Sequence, residues 1–120
     1  ATTNDIVSFA LDMDNYAIYV GKNGTWLNSG DPTSGASKTG DMATASSYTT
    51  LLNNGNHIFI FAGDTSTVGH GSCYFNFGNG YFGTTEIVSP ENDSAGLGKF
   101  AYAVPAGYYA LNTKNLAEFG

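Results

Sequence analysis

Apolar and polar residues alternate with period two along most of the chain, the spacing of half-buried strands. Ile6 to Leu11 (IVSFAL) and Tyr16 to Val20 (YAIYV) are two such runs, separated by the polar stretch Asp12 to Asn15 (DMDN). Together they predict a β-hairpin. The following GKNG places Asn23-Gly24 where a tight turn needs positive φ angles, so Thr25 to Leu27 reads as a short return strand. Asn28 to Ser47 is small and polar and reads as a long loop. The alternation resumes at Tyr48 to Leu52 and at His57 to Ala62 (HIFIFA), with NNGN between them as a second hairpin turn. Ser72 to Phe77 (SCYFNF) puts Cys73, Phe75 and Phe77 on one face, and Phe100 to Val104 reads as the last strand. The tail NTKNLAEF predicts at most one short helical turn, capped by Asn112. Short strands with turn signals every ten residues or so predict an all-β fold, an antiparallel sandwich or jelly roll. No repeat, low-complexity stretch or linker divides residues 1–120, so a single domain is expected.

A chain of 120 residues is long enough to bury a core of its own. Only 12% of it is charged, so solubility rests on Ser, Thr, Asn and Gly. Ten acids against four lysines, with no arginine, give a formal net charge of −6. Displacing phosphate counterions takes clustered cations, so this balance argues strongly against a nucleic-acid partner and equally against an anionic membrane surface. No apolar run approaches the roughly 20 residues of a membrane-spanning helix, so no membrane insertion is expected, and the first residues do not read as a signal peptide. The single cysteine, Cys73, cannot form an internal disulfide or complete a zinc set.

Candidate chemistry is sparse. Asp12 to Asn15 resembles the start of a calcium loop, but the sixth position is Ala17 and the twelfth is Asn23, where glycine and a bidentate acid are needed. Asp12 and Asp14 are better read as hairpin-turn residues, alongside Asn23 and Gly24. His57 and His70 have no metal-ligand spacing. His70 lies close to Ser72 and Cys73, but a Cys–His nucleophile needs an accessible thiolate and an orienting group, and Cys73 fits the inward face of its strand. The glycines at 69–71, 78–80 and 96–98 precede no helix pattern and read as turns, not phosphate cradles. Asp64, Glu86 and Glu91 have no spacing that pairs two carboxylates for glycoside hydrolysis. Neither a catalytic set, a metal set nor a cofactor is therefore expected. Trp26 and the pair Tyr81–Phe82 sit beside turns, where aromatics either cap the core or stack on flat rings. With Asp31 they form the candidate ligand-binding set. Asn23-Gly24-Thr25 and Asn92-Asp93-Ser94 match the glycosylation sequon, a short pattern that carries meaning only in a eukaryotic host.

Three segments in order carry a family likeness. IVSFALDMDNYAIYVGKNGTWLNSGDPTSG resembles the central hairpin of SPRY domains of the microbial and phage type, through Asp12, Asp14, Tyr19, Lys22, Asn23, Gly24, Trp26, Gly30, Asp31, Pro32 and Gly35. SCYFNFGNGYFG is similar to the strand with an Asn-Phe-Gly signature, here Asn76, Phe77 and Gly78. VPAGYYALNTKNL is similar to the closing segment, through Pro105, Gly107, Tyr109, Ala110, Leu111, Thr113, Asn115 and Leu116. The resemblance implies a concanavalin-like sandwich of two antiparallel sheets with a binding or structural role and no catalytic residues. In phage proteins it implies a tail, fibre or other virion or extracellular appendage. A SPRY domain has several strands before this hairpin, so the resemblance implies the C-terminal part of a longer domain, its missing strands supplied by the parent polypeptide or a neighbouring subunit. Two readings follow: a structural or adhesive module that self-associates into a homo-oligomer or fibre, and a lectin-like module for a host-surface glycan or peptide.

Overall fold

The computed structural model describes residues 2–42 and 71–119. The strands expected at Tyr48 to Leu52 and His57 to Ala62, and the residues His57, Asp64 and His70, lie outside them. Within the described residues the fold is mainly β, in small antiparallel sheets closed by one short C-terminal helix.

The first sheet has the order β1 (Val7–Asp12), β2 (Ala17–Lys22), β3 (Thr25–Trp26). Its first hairpin pairs Val7 with Lys22 and Asp12 with Ala17. The turn forms because the Asp12 carboxylate accepts both the backbone N–H and the side-chain amide of Asn15, each at 2.9 Å. That is an aspartate's way of fixing a reversal locally. The second turn has Asn23 at φ 48° and Gly24 at φ 82°, the pair of positive angles a two-residue hairpin loop demands. An added Cβ on Gly24 would lie 2.7 Å from the Tyr102 ring, so packing as well as backbone geometry holds that position to glycine.

Burial alternates along β2: Ala17, Tyr19 and Gly21 are buried, while Ile18 and Val20 are half-buried. Ala10, Ala17 and Tyr19 form the core of this lobe, with Trp26 and Tyr108 packed against them. Of the three aromatics only Tyr19 is fully buried, and full burial of a large side chain stabilises by about 1.5–3 kcal/mol.

Two further sheets have two strands each: β4 (Tyr81–Phe82) with β5 (Thr85–Glu86), and β6 (Glu91–Asn92) with β7 (Lys99–Phe100). The Lys99 N–H donates to the Gly78 carbonyl at 3.0 Å and ties the strand at 99 to the Asn76–Gly80 segment.

Three expectations change. Ser72 to Phe77 is not a strand: these residues have no ladder partner among the described residues, Phe77 lies in a bend, and Cys73, Phe75 and Phe77 are exposed. Alternation supplies a two-sided segment, but a strand also needs a backbone partner. Here Asn76 bonds the neighbouring backbone through its side chain, donating to the Lys99 carbonyl at 2.8 Å and accepting from the Gly78 N–H at 2.8 Å. The strand expected at Phe100 to Val104 shrinks to Lys99–Phe100, after which the chain bends and Tyr102 reaches Gly24. The tail forms more than one turn: α1 (Thr113–Phe119) has seven residues. Asn112 begins it as expected, its side-chain oxygen accepting the Asn115 N–H at 2.9 Å. Phe119 then stacks on Tyr109, with ring centroids 4.5 Å apart.

Candidate functional site

Three local constructions and one exposed surface hold the chemistry of the described residues. The first is the loop after β3. Two 3-10 turns, Leu27–Ser29 and Gly35–Ser37, shape it. The Asp31 carboxylate accepts the Thr33 N–H at 2.9 Å and the Thr33 hydroxyl at 2.6 Å. These two bonds hold its pKa below the ordinary carboxylate range. Ser34 donates its hydroxyl to the Asp31 carbonyl and accepts the Thr39 N–H. Gly40, at φ 71°, stands so close to Gly30 that a Cβ would lie 2.4 Å from its Cα. The loop returns to the sheet at Ile18, whose N–H donates to the Asp41 carboxylate at 2.9 Å and whose carbonyl accepts the Met42 N–H at 2.8 Å. That side of β2 beyond the short β3 is thus closed by the chain itself.

Tyr108 joins this loop to the C-terminal third by donating its hydroxyl to the Pro32 carbonyl at 2.8 Å. Burial first, then the negative charges of Asp12 and Asp31 and the neighbouring Tyr19, push the phenol up to about 12. Tyr108 is therefore a neutral donor throughout the physiological range.

The second construction is a clamp at the start of the chain. The Asp5 carboxylate pairs with Lys22 at 2.9 Å and accepts from the Thr2 backbone and the Asn23 amide. Those donors, Lys22 foremost, hold its pKa well below the usual carboxylate range. Asn23 in turn accepts the Ile6 N–H at 2.8 Å.

The third is centred on Asp93, a carboxylate only 5% exposed. One oxygen accepts the Leu97 and Gly98 N–H groups at 2.8 and 2.9 Å; the other accepts the Ala110 N–H at 2.8 Å and the Asn115 amide at 2.7 Å. Burial pushes this carboxyl up, but the Gly98, Ala110, Asn115 and Leu97 donors outweigh it and hold it at about 2. Gly98 and Gly78 fit because a Cβ on either would lie 2.6 or 2.8 Å from the Ala110 methyl. Sequence reasoning missed Asp93, reading it only as the middle of a sequon. Its local signal was an Asp followed by Gly96 and Gly98, the spacing with which a carboxylate gathers its own downstream N–H groups. The donors at Ala110 and Asn115 left no local trace.

The exposed surface is aromatic. Phe75 and Phe77 are about half exposed and parallel, with ring planes 3° apart and centroids at 5.9 Å. Tyr74 and Tyr81 are exposed as well, and Tyr74 lies over Gly83.

The expected site residues separate into these groups. Asp12, Asn23 and Gly24 make turns, while Asp14 is exposed at the tip of its hairpin. Trp26 and Tyr81–Phe82 stand in two-residue strands as well as beside turns. Trp26 is half-buried over Gly21 and the Tyr19 core, and Asp31 is committed to Thr33. No hydrogen bond or ring stack among the described residues joins Trp26 or Asp31 to Tyr81 or Phe82. Nor do three His, Cys, Asp or Glu side chains there gather as metal ligands. No described helix is long and apolar enough to cross a membrane. No family model, curated protein or solved structure matches this chain.

Proposed function

We propose that this chain is a non-catalytic structural or adhesive module that acts through surface contact and self-associates. The observation that carries this reading is how its apolar residues are placed. Among the described residues, the buried hydrophobic side chains are Ala10, Ala17, Tyr19 and Ala110, three of them small. Val7, Phe9, Phe75, Phe77, Tyr74 and Leu116 are among the large ones left exposed. Clustered apolar surface marks contact with a partner, and here Val7 and Phe9 share one face of β1 while the Phe75 and Phe77 rings lie side by side. Asp31, Asp93, Asn115 and Asn23 each bond backbone groups, which suits a scaffold. The likeness of the hairpin, Asn-Phe-Gly and closing segments to SPRY domains supports a concanavalin-like sandwich and an extracellular or virion setting.

The test is the native mass by light scattering on a sizing column, beside the 12.6 kDa of the denatured chain. Self-association without any ligand gives a multiple of that mass. A monodisperse species of one chain contradicts the reading.

The parallel Phe75 and Phe77 rings, with Tyr74 and Tyr81 also exposed, favour a second reading, a module that stacks the flat face of a sugar or peptide ring. It centres on Phe75, Phe77 and Tyr81, not on Trp26 and Asp31. A glycan panel that binds the chain and loses binding in Phe77→Ala supports it.

A further inference from the structure

We propose that the outer edge of β1 is a homodimerisation strand, pairing antiparallel with β1 of a second copy about a two-fold axis at Phe9. The inference deepens the self-association reading and rests on it. The hydrogen-bond pattern of the first hairpin fixes which groups point outward. Ile6 and Asn23 exchange bonds across the ladder, the Asn23 N–H to the Ile6 carbonyl and the Ile6 N–H to the Asn23 side chain. In an antiparallel pair bonded and non-bonded positions alternate, so Val7, Phe9 and Leu11 face Lys22, Val20 and Ile18 at non-bonded positions. Ile18 confirms the phase: its N–H and carbonyl turn away from β1, toward Asp41 and Met42. The N–H and carbonyl groups of Val7, Phe9 and Leu11 therefore point away from β2, and they meet no partner among the described residues.

The two edges of this sheet are treated differently. Beyond β3 the chain closes β2 with Asp41 and Met42. Along β1 the run Ile6 to Leu11 has no lysine, no proline, no bulge and no charge, the devices that keep an edge from pairing. Val7 is 40% and Phe9 49% exposed on that strand.

The edge is also complementary to itself. With Phe9 opposite Phe9 of the second copy, Val7 falls opposite Leu11 and Leu11 opposite Val7. All three are outward-bonding positions, so each N–H and carbonyl of the set finds a mate. Ser8 falls opposite Ala10, and Asp12 opposite Ile6. Two chains of net charge −6 thus meet along a stretch that sets no like charges against each other. The Val7, Phe9, Leu11, Ile18 and Val20 side chains share one face of the sheet, and pairing extends that apolar face across both copies.

The experiment uses cysteine as a ruler. In a Cys73→Ser background, Phe9→Cys places two thiols directly opposite at a bonded pair, with Cα atoms about 5.5 Å apart, within disulfide reach. Val7→Cys in the same background lies opposite Leu11, roughly 13 Å along the strand from its own copy. The Phe9→Cys chain is expected to oxidise to a covalent dimer and the Val7→Cys chain to remain single. Phe9→Lys, folded by circular dichroism, is expected to lower the native mass of the parent by separating β1 from β1. Equal cross-linking at both positions, or an unchanged assembly mass in Phe9→Lys, overturns the β1 edge while leaving self-association standing. A parent that stays at 12.6 kDa at every concentration overturns both.

Discussion

Asp93→Asn is the most informative single change in the described residues. It keeps the shape of the side chain and replaces one of two acceptor oxygens with a donor. All four partners of Asp93 are donors: Leu97 and Gly98 on one oxygen, Ala110 and Asn115 on the other. With its new NH2 turned toward Leu97 and Gly98, the amide leaves both N–H groups without an acceptor. Turned the other way it strands the Ala110 N–H. Inverting the Asn115 amide to meet it, using an Oδ1 that has no partner, takes the donor from the Ala110 carbonyl. Either orientation orphans two buried or part-buried groups, at about 1–3 kcal/mol each, so a loss of about 2 kcal/mol or more is expected. That is a large share of the roughly 5–15 kcal/mol of a domain this size. Urea unfolding followed by circular dichroism measures it.

The pH dependence gives an independent sign. Asp93 is held at about 2 in the folded chain, below the roughly 3.9 of an unfolded aspartate. Its contribution is therefore full above the unfolded value and lost as pH falls through the folded one. Allowing for solvent screening, it amounts to about 1–2 kcal/mol. The stability gap between the parent and Asp93→Asn should narrow between pH 5 and about pH 2. A loss below about 1 kcal/mol at pH 7, or a gap independent of pH, would refute the reasoning.

Gly24→Val should cost more than the roughly 1 kcal/mol of backbone strain alone, because its Cβ also meets the Tyr102 ring; the urea midpoint of Gly24→Val against Gly24→Ala reads the added bulk. Trp26→Ala should destabilise by about 2–4 kcal/mol through lost packing on Gly21 and Tyr19, and a thermal scan that leaves it unchanged would place Trp26 outside the core. Tyr108→Phe should lose about 1 kcal/mol with its bond to Pro32, and should remove the component near pH 12 from the ultraviolet titration of the folded chain.

What the sequence disclosed follows the range of the forces involved. The β1–β2–β3 hairpins were legible because each is settled within a few residues: Asp12 bonds Asn15, and Asn23-Gly24 accept positive φ. The start of α1 was legible for the same reason, since Asn112 caps a residue three positions on. Its length was not, because Phe119 is held by stacking on Tyr109 as well as by propensity. Ser72 to Phe77 has the period of a strand, but pairing is a property of two segments and periodicity describes one. The Asp93 site lay furthest from view: it joins residues 93, 98, 110 and 115, and no local pattern announces which distant N–H groups a buried carboxylate will collect.

The central claim, a contact module that assembles through β1, is tested most directly by amide hydrogen exchange at Val7, Phe9 and Leu11 across a concentration series. Their N–H groups point away from β2, so within one chain β2 gives them no protection. Protection that rises with concentration at these three amides, with Ala10 protected throughout by its bonds to Tyr19, is the predicted result. Rapid exchange at all three, unchanged from the lowest concentration to the highest, contradicts it.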